Sequence, residues 1–119
     1  MAMLHQLQCV ACRGDEPGVT AEEQAEYAPQ VPEWHTVAHD GVPHLTRTFR
    51  FDDFAHALEF TNAVGALAEA EGHHPAILTE WGRVTVEWWT HKIHALHRND
   101  YILAARADLL YANAPGARP

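Results

Sequence analysis

Two pairs of short β-forming runs stand on either side of one long helical stripe, and that order limits what the chain can become. The first pair is Trp34 to Ala38 and His44 to Phe51, joined through the turn signal Asp40-Gly41. The second is Ile77 to Glu80 and Arg83 to Trp89, joined at Trp81-Gly82. Between the pairs, Phe54, Leu58, Thr61, Val64-Gly65 and Ala68 recur at spacings of three and four, which predicts a helix burying those residues. Asp52 or Asp53 can cap its start, and Gly72 can supply the left-handed residue that ends it after about Glu71.

Two further helices complete the pattern. Thr20 and Glu23 form a capping box for a short helix from Ala21 to about Tyr27, which Pro29 and Pro32 end. A last helix, capped by Asn99 or His97, carries an apolar stripe of Ile102, Ala105, Leu109 and Ala112. The order α-β-β-α-β-β-α predicts an α+β fold, a four-stranded antiparallel sheet with three helices on one face. The other face is then left to solvent or to a partner subunit. In the last strand Val84, Val86 and Trp88 share one side while Thr85, Glu87 and Trp89 share the other. One of the two tryptophans is therefore spare for a subunit interface or a ligand surface.

A chain of 119 residues holds one domain with a real core. Residues 1–18 are expected as a flexible N-terminal arm, 19–113 as the domain and 114–119 as a frayed tail. The net charge of −8 disfavours direct binding to a phosphate backbone. No stretch reaches the roughly 20 apolar residues of a membrane span, and the N-terminus lacks the positive start and apolar core of a signal peptide. A cytoplasmic protein is expected. Cys9 and Cys12 form a single C-x-x-C, for which only His5 offers a nearby third ligand. Structural zinc needs four ligands, so two reduced thiols are the default reading.

The compositional oddity is histidine: ten in all, with five between His73 and His97. Imidazole gives and takes protons near neutral pH because its unperturbed pKa is about 6.5. His73 and His74 leave the end of the long helix, and His91 leaves the last strand. A hairpin from Ile77 to Thr90 returns on itself, so His91 can face the His73-His74 corner. Asp100 follows at the start of the last helix and can orient one imidazole, and Glu69 stands four residues before His73 on the same helical face. The plainer reading of His73 and His74 is a pair of polar residues favoured by the dipole at a helix C-terminus. His91, His94 and His97 have the look of a metal cluster, yet residues three apart across a strand-to-loop transition need not point together, and no metal site is expected. There is no Gly-rich phosphate loop, H-E-x-x-H or serine triad pattern.

Taken together, Glu69, His73-His74-Pro75, Trp81, His91 and Asp100 stand at spacings that resemble the signature of the pterin-4a-carbinolamine dehydratases. The resemblance extends over about Val19 to Tyr111. It implies the α+β layer reached above, with subunits associating into dimers or tetramers, and it implies no cofactor. It also implies a pterin substrate, 4a-hydroxytetrahydropterin, dehydrated to quinonoid dihydropterin in the recycling of the cofactor used by phenylalanine hydroxylase and its relatives. By position, His73 and His91 would be the acid/base pair and His74 would bind and assist. Asp100 would orient His91, Glu69 would support the first histidine, and Pro75, Trp81 and Thr90 would line or support the substrate. Some relatives of this type are instead interaction proteins, including RuBisCO assembly factors beside carboxysome genes. The His91 to His97 loop is bulkier than the small-residue loop of many relatives, and His94 could crowd the pocket or add a polar contact.

Overall fold

The structure, a computed structural model, describes residues 3–10, 14 and 16–118. Cys12 lies outside the described residues. The elements are α1 (Ala21–Tyr27), β1 (His35–His39), β2 (Val42–Phe51), α2 (Phe54–Glu71), β3 (Ala76–Glu80), β4 (Arg83–Trp88), α3 (Arg98–Ala112) and β5 (Ala117–Arg118). The strands form one antiparallel sheet in the order β1-β2-β4-β3, with the two-residue β5 added to the end of β2. This is the expected α+β layer. Among the described residues no helix is long and apolar enough to cross a membrane.

Local chemistry sets the helix starts. Thr20 Oγ1 accepts from the Glu23 N–H at 3.1 Å while Glu23 Oε1 accepts from the Thr20 N–H at 2.9 Å, which closes the capping box of α1. Asp53 caps α2 through the His56 N–H at 2.9 Å. His97 caps α3, its Nδ1 accepting from the Asn99 N–H at 3.0 Å.

The core lies between one sheet face and α2 with α3. Leu45, Phe49 and Phe51 of β2 and Val84, Val86 and Trp88 of β4 are buried on that face, while Thr85, Glu87 and Trp89 point the other way. Trp88 is therefore the core residue and Trp89 the spare one. Tyr27 of α1 reaches the core against the Tyr101 ring, 5.4 Å between centroids.

The helix stripes differ from expectation. In α2 the buried residues are Ala57, Phe60, Val64 and Ala68, whereas Phe54 and Leu58 are 45% and 44% exposed. Both sets repeat at helical spacing, and the choice falls to the ring of Phe60, which meets Phe49 and Phe51 at 4.7 and 5.1 Å. In α3, Ile102 and Ala105 are buried as expected, but Leu103 and Ala104 join them, and Leu109 and Ala112 are exposed.

Described residues near both ends of the chain are docked on the domain. Leu4 is buried, its N–H donates to Gln30 Oε1, and Arg106 donates to the Leu7 carbonyl. Asn99 exchanges two hydrogen bonds with the backbone of Val10, at 2.6 and 3.0 Å. Within the stretch read as an arm, residues 4–10 thus lie against α3, which helps to bury its first half nearly all round. At the other end, Ala117 and Arg118, placed in the expected tail, pair with Phe51 and Arg50.

Candidate active site

Gly72 has φ +62°, and its N–H bonds the carbonyls of Ala68 and Glu69, so the helix stops there and the chain leaves at a sharp angle. That exit places His73 and His74 on the rim of a cavity of about 400 Å³. Its other walls come from Trp89, Thr90, His91 and Lys92 after β4, from Asn99 of α3 and from Val10 of the N-terminal segment. The three histidines expected to converge do line one cavity.

The carboxylate of Asp100 is fully buried at the start of α3. Its Oδ1 is 2.6 Å from His73 Nε2. Its Oδ2 accepts from Thr90 Oγ1 at 2.7 Å and from the His97 N–H at 2.8 Å. Three donors therefore surround one carboxylate, which fixes it and lets it fix the His73 ring. That ring also lies nearly parallel to Trp88, 6.0 Å between centroids. With Nε2–H given to Asp100, the neutral imidazole carries its lone pair on Nδ1.

Two expected pairings are exchanged. Asp100 holds His73 and not His91, and Glu69 holds His74 and not His73, with Glu69 Oε2 2.5 Å from His74 Nε2. The second pair is open to solvent, with side chains 63% and 78% exposed for His74 and Glu69. The reason lies after Gly72, where the chain is no longer helical and the i,i+4 relation that joined Glu69 to His73 has ended. His91 opens a short 3-10 turn, His91–Ile93, and receives the Trp89 indole N–H on Nδ1 at 3.3 Å.

The remaining sequence-predicted residues fall in different places. Thr90 lines the cavity and bonds Asp100, so its role is in the carboxylate's shell as well as the wall. Pro75 leads into β3 and is not part of the cavity lining; Trp81 sits at the β3–β4 turn, 72% exposed, and is not part of it either. His94 is also absent from the lining, while Lys92 is present. His91, His94 and His97 do not gather into one ligand group among the described residues; His97 is occupied as a helix cap, with its Nε2 2.7 Å from Glu16 Oε2. Sequence reasoning missed Val10, Glu71, Lys92 and Asn99 as lining residues. Only Asn99, in the helix-start stretch next to Asp100, had a local signal.

Cys9 packs beside this site. Burial, then the nearby Glu71 carboxylate, push its thiol up to about 11, so it is a protonated, inert thiol at neutral pH.

These features define a small α+β domain with a histidine-lined cavity braced by a buried carboxylate. The family model for pterin 4 alpha carbinolamine dehydratase matches residues 17–110, and the chain belongs to that family. Among relatives, a protein of Syntrophotalea carbinolica named "Putative pterin-4-alpha-carbinolamine dehydratase" is 59% identical over 110 residues, covering 92% of this chain and 98% of the relative. Two solved structures share the fold. The transcriptional coactivator/pterin dehydratase of Brucella melitensis superposes with a TM-score of 0.71 at 29% identity, over 79% of this chain and 98% of that one. A pterin dehydratase-like protein described as a RuBisCO assembly factor in the α-carboxysome superposes with a TM-score of 0.57 at 28% identity, over 69% and 92% of the two chains.

Proposed function

We propose that this protein is a hydro-lyase that dehydrates 4a-hydroxytetrahydropterin to quinonoid dihydropterin, in the recycling of a pterin cofactor. The observation that carries the reading is the buried Asp100 carboxylate, held by Thr90 and the His97 N–H and turned onto His73 at 2.6 Å. A charge buried at that depth costs several kcal/mol unless it is satisfied, and its spare oxygen is spent on orienting one imidazole at a cavity.

In the reaction the bond from C4a to the hydroxyl oxygen breaks, a ring nitrogen loses its proton, and a C=N bond forms as water leaves. His73 serves as the base: its Nδ1 takes the ring proton, and Asp100 stabilises the imidazolium that results. His91, across the cavity, delivers the proton that turns the departing hydroxyl into water. His74, held by Glu69, binds the substrate beside them. No metal or covalent intermediate enters these steps. Association into a dimer or tetramer is part of the same reading.

The second reading is an interaction protein on the same fold, favoured by the likeness to the RuBisCO assembly factor. The assay of choice follows the loss of 4a-hydroxytetrahydropterin with wild type and with a His73→Ala, His91→Ala double variant. A wild-type rate no better than that of the double variant removes the enzyme reading and leaves the interaction protein.

A further inference from the structure

On the sheet face opposite the helices, three side chains from three adjacent strands meet at one point. His39 ends β1, His44 lies in β2 and Glu87 in β4. The register sets them side by side: His39 pairs with Val42, two residues from His44, and Glu87 pairs with Thr46, two residues on the other side of it. Residues two apart in a strand share a face, so all three project from the open face. Glu87 Oε1 is 2.9 Å from His39 Nε2 and 3.0 Å from His44 Nδ1. The three ligand atoms all lie within 4.8 Å of one another.

We propose that His39, His44 and Glu87 form a binding site for a divalent transition-metal ion, zinc by its ligand set. Two imidazoles and a carboxylate with an open fourth position are a donor set that zinc accepts. Metal–ligand bonds of about 2.0–2.2 Å in a tetrahedron keep ligand atoms roughly 3.3 Å apart. To admit the ion the present N···O separations open by a few tenths of an ångström, and the two ring nitrogens, within 4.8 Å of each other, settle to the same spacing. Each ring contact with Glu87 is then replaced by a bond from that nitrogen's lone pair to the metal, the neutral imidazole carrying its proton on the other ring nitrogen.

The ligands are held by a rigid frame. His44 is only 8% exposed, and its ring stacks on Trp89 at 4.1 Å with 2° between the planes. The indole fixes the ring orientation from behind, as an outer-shell partner does in metal sites. His39 is more open, at 54% side-chain exposure, which leaves an entry path from solvent. The dehydration proposed above uses none of these three residues, so the two readings stand apart. They adjoin through Trp89, whose other edge lines the histidine cavity and donates to His91.

The test uses full-length, tag-free protein and zinc alone. Equilibrium dialysis gives stoichiometry, and crystals grown with zinc are measured on either side of its absorption edge. The expected result is one ion per chain, with an anomalous peak bonded to His39 Nε2, His44 Nδ1 and Glu87 Oε1. His39→Ala at an exposed position and the isosteric Glu87→Gln should each weaken binding at least tenfold while the far-ultraviolet circular dichroism stays unchanged. A peak at other residues, such as His73 and His91, overturns the proposal. So does binding that neither variant weakens, or no binding at millimolar zinc.

Discussion

Asp100 Oδ1 lies 2.6 Å from His73 Nε2, so the buried carboxylate at the start of α3 braces the histidine that follows α2 and not the one that follows β4. The two histidines of the cavity are therefore held unequally: His73 is fixed from behind, and His91 rests on a short turn against one indole.

Replacing Asp100 by Asn keeps the shape but removes the charge and places an amide donor among three donors. We expect the dehydration rate to fall by about 10²-fold or more, since a positioned acid/base group contributes roughly that much. Thermal unfolding should also show a loss of about 1–3 kcal/mol for the broken network. Thr90→Val, which removes one donor to Asp100 Oδ2, should lower stability by about 1–2 kcal/mol. An Asp100→Asn protein with wild-type rate would show that the brace is structural only.

Glu69→Gln should behave differently. Glu69 and His74 are exposed, and exposed ion pairs contribute about 0–1 kcal/mol. Urea unfolding should scarcely move, and the change in rate should stay under about tenfold, the loss appearing in KM under the binding role proposed for His74. A change in stability as large as that of Asp100→Asn would contradict the exchange of partners described above.

Much of the fold was legible in the sequence because its signals are local. Thr20 and Glu23, Asp53, and the glycines at 72 and 82 mark where elements start and stop, and their chemistry acts within a few residues. What was not legible depends on tertiary choice. Leu58 and Phe60 are both spaced to join a buried stripe, and only the rings of Phe49 and Phe51 on the sheet decide for Phe60. Leu4 and Val10 show no periodicity, because they cover α3 singly and not as a repeating face. In the site, the spacing of His73, His91 and Asp100 located the cavity, but the partner of Asp100 turns on how the chain leaves Gly72, which no linear spacing records.

The thiol of Cys9 should be slow. Raised to about 11 by burial and by Glu71, it stays protonated at pH 8. Its alkylation by iodoacetamide should then run roughly 100-fold or more below that of an ordinary thiol with a pKa of about 8.5. Peptide mass spectrometry over time measures this directly. Glu71→Gln should speed the reaction, and alkylation of Cys9 at the ordinary rate would contradict the packing seen here.

Stability against pH should carry two opposite slopes. Burial raises the Asp108 carboxyl above its ordinary 3.8, even though Trp34 and Arg47 bond it. The folded state then holds a proton more tightly than the unfolded one, so this group's contribution falls as pH rises from 3.8 through the raised value. Asp53 is shifted the other way by the His56 N–H and ring, so its contribution is present above 3.8 and is lost as pH falls through its lowered value. Urea midpoints between about pH 3 and 7 for Asp108→Asn and Asp53→Asn should remove one slope each. An unchanged profile in both would contradict the assigned directions.

On the proposed function, His73 and His91 carry the two proton transfers of a dehydration. The most direct measurement is the rate at which 4a-hydroxytetrahydropterin is lost, with wild type and with His73→Ala, His91→Ala and the double variant beside the uncatalysed reaction. The expected result is a wild-type rate well above background, a drop of about 10²–10⁴-fold for each single variant, and a double variant near background. A wild-type rate equal to that of the double variant would contradict it.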